Sequence, residues 1–384
     1  MATLAERTPA AVASTRLVSL DVMRGITVAF MIMVNNNGDS RAFWFMKHAD
    51  WNGFTPTDLV FPTFLFLVGT SLVFSFDSRL SRGVSKMSLF LHTLKRAVII
   101  FLLGLVVNGF PHFPLGTLRI YGVLQRIAIC FLIAAVLYLW DRRATSKIVI
   151  VVAALVGYYI LMRWTPVPGY GLPGRDIPFL DKDANLVAWL DRHIFPNRLY
   201  ERVRDPEGLL SDLPALATTL LGMLTAMWLK TSRTVQQKAL GMLGGSIGCI
   251  VLGLVWNPFF PINKKLWTSS YVLFAAGLSL LGFALCYWAI EVKGWKKGWT
   301  TFWLVFGMNT ISAYVFSEIL GPALGLIHIN VNGHTEDPIQ IAYRSVFMHL
   351  GSGGFPSLMY SISFMLVCWI PVAILYRKKI FIKI

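Results

Sequence analysis

Long runs of apolar residues, separated by short polar stretches, fill this chain from about residue 17 onward. They fall at 17–35, 58–76, 91–109, 118–140, 147–163, 209–229, 239–256, 268–290, 300–320 and 357–376. A helix needs ~20 residues to cross ~30 Å of hydrocarbon, and these runs approach or reach that length. Each is continuously apolar rather than alternating, which excludes a β-barrel. The pattern predicts an all-α fold: a polytopic membrane helix bundle of about ten transmembrane helices.

Basic residues collect at every second connection. Arg79, Arg82, Lys86, Lys95 and Arg96 follow the second run; Arg142, Arg143 and Lys147 follow the fourth; Lys230, Arg233 and Lys238 follow the sixth. Lys293, Lys296 and Lys297 follow the eighth, and Arg377, Lys378, Lys379 and Lys383 follow the last. All these groups fall on one side, which the positive-inside rule makes cytoplasmic, and an even number of spans puts both termini there. The other side then receives 36–57, 164–208 and 321–356, with short links near His112 and at 257–267. Such long connections tend to be functional. Within 164–208 the charges balance, four prolines break the first half, and Leu186, Trp189, Leu190 and Ile194 predict a short amphipathic helix over 183–195. Residues 1–15 are polar and Ala-rich, which reads as a disordered cytoplasmic lead-in rather than a cleaved signal peptide. Residues 16–384 read as a single transmembrane domain without an internal repeat of the kind many transporters carry.

Composition agrees. Hydrophobic residues make up 55% and charged residues 14%, and the mean hydropathy is +0.61; a soluble globular domain carries nearer a quarter charged residues. The net charge of +16 belongs to the basic loops, so it is read as topology and not as nucleic-acid binding. Cys130, Cys249, Cys286 and Cys368 all sit inside apolar runs, without metal-ligand or disulfide spacing. No metal is expected.

The densest polar stretch is Asn35 to Pro62. Polar groups this close to hydrocarbon are costly unless they face a cavity or a partner. His48 has the most suggestive surroundings of the seven histidines, because an imidazole can serve as general base or acyl-accepting nucleophile near neutral pH. Trp44, Trp51 and Phe54 limit water access or stack on a sugar, and Asn35 and Asn52 offer donors to a developing oxyanion. A plain extramembrane loop with aromatic anchors is the bland alternative. Other charges lie inside or at the ends of spans. Asp21 and Arg24 are spaced to pair, Arg119 and Arg126 lie seven apart on one helical face beside Gln125, and Asp58, Asn309 and Glu318 mark other spans. The two arginines can pair with Asp58 or Glu318, or hold an anionic ligand such as a phosphate. Phosphate-binding glycine loops, a Gly-x-Ser-x-Gly elbow and a His-x4-Asp pattern are all missing.

Several motifs together resemble the heparan-α-glucosaminide N-acetyltransferase family. They are Ser19-Leu20-Asp21-Val22-Met23-Arg24-Gly25, Lys47-His48-Ala49-Asp50-Trp51-Asn52-Gly53 and Asp58-Leu59-Val60-Phe61-Pro62. The likeness continues through Arg119 to Arg126, Asp205-Pro206-Glu207-Gly208, Gly307-Met308-Asn309 and the tail from Tyr376 to Phe381. It covers about residue 16 to the end, in the same order, and looks like a bacterial member without the extra N-terminal luminal region and first helix of the animal enzymes. The resemblance implies a multi-pass enzyme of the bacterial inner membrane that takes acetyl-CoA from the cytosol and acetylates the amine of a glucosaminide or other amino sugar on the far side. It places the active-site histidine on His48 and its asparagine partner on Asn35 or the adjacent Asn36. It implies coenzyme-binding roles for Arg96, Arg119 and Arg126; Gln125 and Asn309 are expected to share that role, and Trp51, Asn52, Asp58, Asp205 and Glu207 are expected to bind the acceptor. The chain is then expected to act in the lipid bilayer, alone or as a homodimer, without nucleic acid. The residues alone leave two classes open. A permease for an amino sugar also fits intramembrane charges and ten spans, although it does not explain why the polar residues gather at one face.

Overall fold

The computed structural model describes residues 17–296, 298–331 and 334–382. The expected lead-in at 1–15 and the basic residues Lys297 and Lys383 lie outside the described residues. Thirteen α-helices follow one another among those described: α1 Val18–Asn35, α2 Val60–Leu80, α3 Lys86–Gly109, α4 Val123–Trp140, α5 Ala144–Trp164, α6 Leu186–Ile194, α7 Asp212–Leu229, α8 Val235–Trp256, α9 Ser269–Tyr287, α10 Trp299–Met308, α11 Thr310–Gly325, α12 Pro338–Ser345 and α13 Phe355–Arg377. A small hairpin, β1 Ile329–Val331 paired antiparallel with β2 His334–Glu336, precedes α12.

Nine of these helices, some extended by a short flanking turn, are long and apolar enough to cross a membrane. The expected ninth run, 300–320, is broken: α10 and α11 meet at Asn309 with a bend of 78°. Apolar periodicity registers the total run but is blind to the break, because Asn309 is one polar residue in a hydrophobic stretch. The predicted amphipathic helix at 183–195 is present as α6, capped by the Asn185 side chain accepting from Ala188 N–H. The multi-pass helical architecture read from the sequence is therefore the observed one.

Helices α1, α2, α4 and α7 are mostly enclosed by protein, whereas α3 and α8 turn most of their surface outward. The outward residues are Leu91, Val98, Leu102 and Val106 on α3 and Leu240, Ile247, Val251 and Val255 on α8. An apolar exterior of this size suits hydrocarbon rather than water. Glycines set the closest inner crossings. A Cβ at Gly69 on α2 would lie 1.9 Å from the Thr219 carbonyl oxygen of α7, and one at Gly222 would lie 1.8 Å from that of Phe66. Gly25 and Gly307 make the same reciprocal contact between α1 and α10. Small residues at such crossings let backbones touch where the solvent offers no hydrophobic drive.

Contacts sort the connections into two ends. At the basic end, Asp77 holds Tyr138, Arg142 and Lys230 together, and Glu291 receives Ser19 N–H and Lys296. At the opposite end, the segments 36–57, 110–122, 165–208 and 257–268 bind one another. Trp51 Nε1 donates to Leu180 O (2.8 Å), Gly53 N to Ile262 O (2.8 Å) and Lys265 Nζ to Glu201 (2.8 Å). These contacts group the four segments at one end and the basic connections at the other.

Candidate active site

The site grows from the end of α1. Three asparagines in a row finish the helix, and they do different work. Asn36 Nδ2 donates back to Ile32 O (2.8 Å), and Asn37 Nδ2 donates to Val34 O (3.2 Å) and Met46 O (3.0 Å), so both serve the carbonyls that a helix end leaves orphaned. Asn35 instead reaches across to α11, where its Nδ2 donates to Glu318 Oε1 at 2.9 Å.

Beyond one helical turn at Trp44–Met46, the chain enters a capping box that starts the second span. Thr55 is the N-cap, Pro56 follows, and Asp58 turns back so that its Oδ2 accepts Thr55 N–H (2.9 Å), Thr55 Oγ1 (3.1 Å) and Ala49 N–H (3.1 Å). Its other oxygen, Oδ1, lies 2.6 Å from His48 Nδ1. The Asp58 side chain is 0% exposed while that of His48 is 45% exposed. An ionised carboxylate has no proton to give, so the shared proton sits on Nδ1 and the lone pair of a neutral ring sits on Nε2. Nε2 has no hydrogen-bond partner among the described residues. Tyr271 on α9 fixes the arrangement from behind by donating to Asp58 O (2.6 Å). An imidazole oriented by a buried carboxylate, with its second nitrogen open, is the geometry of a general base.

The other expected acceptor residues brace this loop. Asn52 Oδ1 accepts from buried Asn263 (3.0 Å). Trp51 has Arg204 5.5 Å and Lys182 6.0 Å from its ring centroid, which ties it to the 165–208 segment. Asp205 and Glu207 are already partnered. Arg119 Nε donates to Asp205 Oδ2 (2.8 Å), and Nη2 donates to both Asp205 Oδ1 (2.5 Å) and Glu207 Oε2 (2.5 Å). Burial pushes the Glu207 carboxyl up, but Lys264, Arg119 and Arg126 outweigh it and hold it down at about 2. Burial likewise works against the Arg119 charge, and the two carboxylates more than restore it, so its pKa is raised.

Arg126 is fully buried. Its Nε donates to Asp212 Oδ1 (2.9 Å), and its Nη2 donates to Gly208 O (2.9 Å) and to Ser211 Oγ. Its guanidinium lies 4.9 Å from the Trp267 ring centroid. The sequence offered Asp58 or Glu318 as partners for these arginines; the acids that pair with them are Asp205, Glu207 and Asp212. Asp212 opens α7 four residues past the Asp205–Gly208 motif, and a buried arginine in need of an acid was the signal that would have found it. Gln125 is buried between α3 and α4, donating to Phe101 O (3.2 Å) against Gly104. Asn309 spends its side chain on the chain's own tail: Nδ2 donates to Ile380 O (3.1 Å) and Oδ1 accepts from Ile382 N–H (3.0 Å). Arg96 lies over Phe131 (5.2 Å), and the charges of Arg79 and Arg24 act on it. His92 feels Arg79, Arg96 and Lys95. These cations on α1, α2 and α3, toward the basic end, are the groups with the chemistry to hold phosphates. No cluster of three or more metal-ligating side chains is present among the described residues.

Asp191 on α6 was missed by sequence reading. Its Oδ1 accepts Leu209 N–H (3.0 Å), while its buried Oδ2 has no described partner. Burial pushes this carboxyl from 3.8 up to about 7. The folded chain then keeps a proton that the unfolded chain has released, so stability is lost as pH rises from about 4 through about 7. Asp191→Asn is expected to flatten the fall of Tm between about pH 4 and pH 7. Melting curves across that range check it, and an unchanged slope in the variant would discount the buried proton.

A family model described as "Heparan-alpha-glucosaminide N-acetyltransferase, catalytic" matches residues 16–249. The chain is also 30% identical over 359 residues to the heparan-alpha-glucosaminide N-acetyltransferase of Mus musculus, covering 79% of this chain and 54% of that protein. The Homo sapiens protein of the same name gives 30% over 358 residues, with 79% and 53% covered. The chain spans about half the length of these relatives.

Proposed function

Because this chain belongs to the heparan-alpha-glucosaminide N-acetyltransferase family, we propose that it moves an acetyl group from cytosolic acetyl-CoA to the amine of an amino sugar on the opposite side of a bacterial cytoplasmic membrane. The observation that carries the reading is the His48–Asp58 pair at 2.6 Å. It stands at the end of the bundle away from the basic loops, with the oriented lone pair that amine acylation needs.

The acceptor amine arrives as an ammonium and sheds two protons. Its nitrogen forms a bond to the acetyl carbon, the carbon–sulfur bond of the thioester breaks, and the coenzyme leaves as a thiolate. One proton ends on that sulfur, and the other leaves through His48 Nε2. A route through acetyl-His48 runs in two displacements: Nε2 bonds to the acetyl carbon as the carbon–sulfur bond breaks and the sulfur leaves, and the amine nitrogen then bonds to that carbon as the carbon–Nε2 bond breaks, so that one proton ends on the sulfur and the other on the freed Nε2. The coenzyme's phosphates would bind toward the basic end near Arg79, Lys95 and Arg96, beside Arg24, which is itself paired with Asp21 at 2.7 Å.

A carrier is the second reading, and the broken span at Asn309 is the one observation that favours it, since discontinuous helices mark transporter sites. In this chain the break is bridged by the tail at Ile380 and Ile382.

Sidedness is tested by single-cysteine labelling. Arg175→Cys, with a 74% exposed side chain, is expected to react from outside intact cells, and Arg143→Cys, 86% exposed, only after permeabilisation. The reverse pattern inverts the topology. Activity is tested in proteoliposomes holding radiolabelled acetyl-CoA within and glucosamine outside. Labelled N-acetylglucosamine outside supports the proposal; coenzyme-independent glucosamine uptake without product supports the carrier.

A further inference from the structure

We infer that Glu318 is the carboxylate that recognises the acceptor as an ammonium ion, a conclusion that rests on the acetyl-transfer reading above. Glu318 lies on α11, toward the end away from the basic loops. Its Oε1 accepts from Asn35 Nδ2 at 2.9 Å, and its Oε2 accepts no hydrogen bond from a described residue. No lysine, arginine or histidine pairs with it among the described residues. That sets it apart from its acidic neighbours: Asp58 holds His48, Asp205 and Glu207 hold Arg119, and Glu201 holds Arg204 and Lys265. Asp50 and Asp191 also lack a cation among the described residues, but Asp50 is exposed on the loop surface, and Asp191 is enclosed under Leu209 N–H in the 165–208 segment.

Hydrogen bonds tie Glu318 to the loop that carries His48. Asn35, which donates to Glu318, is the last residue of α1, where that loop begins. Asn37, two residues past Asn35, holds Met46 O just before His48. An anion at the end of a span is costly without a partner, and a protonated primary amine is the partner that an amino-sugar acceptor brings. It can give one N–H to Oε2, the oxygen that Asn35 leaves open. A hydroxyl in the same place leaves the charge unpaired, so the site selects amines over alcohols.

The test uses the full chain. Glucosamine is the acceptor, N,N-dimethylglucosamine is a cationic analogue that gives no stable amide, and glucose is the neutral analogue. Wild type is expected to bind the dimethyl analogue about ten- to a hundredfold more tightly than glucose, the scale of one charge-assisted hydrogen bond. In Glu318→Gln that preference should vanish and KM for glucosamine should rise by a similar factor, with acetyl-CoA affinity unchanged. Equal binding of the two analogues by wild type, or a preference retained in the variant, overturns the inference. If Glu318→Gln does not fold, Glu318→Asp replaces it. Withdrawing the charge by one methylene should reduce the preference, and an unaltered preference overturns the inference equally. Ligand binding is read by thermal shift, independently of turnover. A wild type that prefers the cation yet transfers no acetyl therefore counts against the acetyltransferase reading and not against Glu318.

Discussion

His48→Ala is expected to lower acetyl transfer to glucosamine by at least ~10²-fold, the usual scale for losing a positioned general base. The fold should tolerate the change, because the imidazole is half exposed and contacts the protein mainly through Nδ1. Acetyl-CoA binding should survive, since the cations of α1, α2 and α3 are untouched. Asp58→Asn is the more telling partner experiment. An amide at Oδ1 presents a donor or a weaker acceptor to Nδ1, which frees the ring to take the other tautomer and turn its proton toward the substrate. Asp58 also holds Thr55 and Ala49 N–H groups, so this variant is expected to lose some stability as well as turnover. The pair acts as a unit, so the double variant should be little slower than either single one. Independent, multiplicative losses would separate Asp58 from His48 and reduce it to a helix cap. If His48→Ala keeps most of the activity, the histidine is only a loop residue.

The parts of this protein that were legible in the sequence are those that repeat. Apolar runs recur many times, and each recurrence reports the same solvent, so the multi-pass helices followed from pattern alone. The break at Asn309 was hidden because it is a single event, decided by what the tail backbone offers its amide. The candidate loop was legible as a density of polar residues; its surroundings singled out His48, and the resemblance agreed. The partner of His48 was less accessible. Asp58 closes the capping box that Thr55 begins, and only the fold shows that its second oxygen faces the imidazole. Pairings across the bundle were the least legible. Arg119 with Asp205 and Glu207, and Asn35 with Glu318, join residues separated by 86, 88 and 283 positions, and nothing local in the chain selects one acid over another.

Arg126 ties two such distant segments, α4 and α7, through a buried ion pair with Asp212. Arg126→Ala is expected to destabilise the protein by about 3–5 kcal/mol, the cost of removing one member of a buried ion pair and stranding the other. Its side chain is 0% exposed, and Asp212, Gly208 and Ser211 take its donors; Nη1 alone has no described partner and is itself buried. If this is its role, the melting temperature falls by a similar amount with and without acetyl-CoA, and the stabilisation given by the coenzyme is unchanged. A variant that melts normally but no longer responds to acetyl-CoA would return Arg126 to the coenzyme. A second substitution sharpens the distinction. Asp212 bears the other charge and accepts from Tyr121 as well, so Arg126→Met leaves a carboxylate with a single neutral donor. Arg126→Met with Asp212→Leu removes both charges while keeping the volume. Replacing a buried pair with packed apolar groups is often neutral or stabilising, so the double variant should recover much of the loss seen in Arg126→Met. Recovery of stability without a change in coenzyme response would show that this pair carries fold specificity. Recovery of stability with the coenzyme response abolished would show that the same guanidinium also touches the donor.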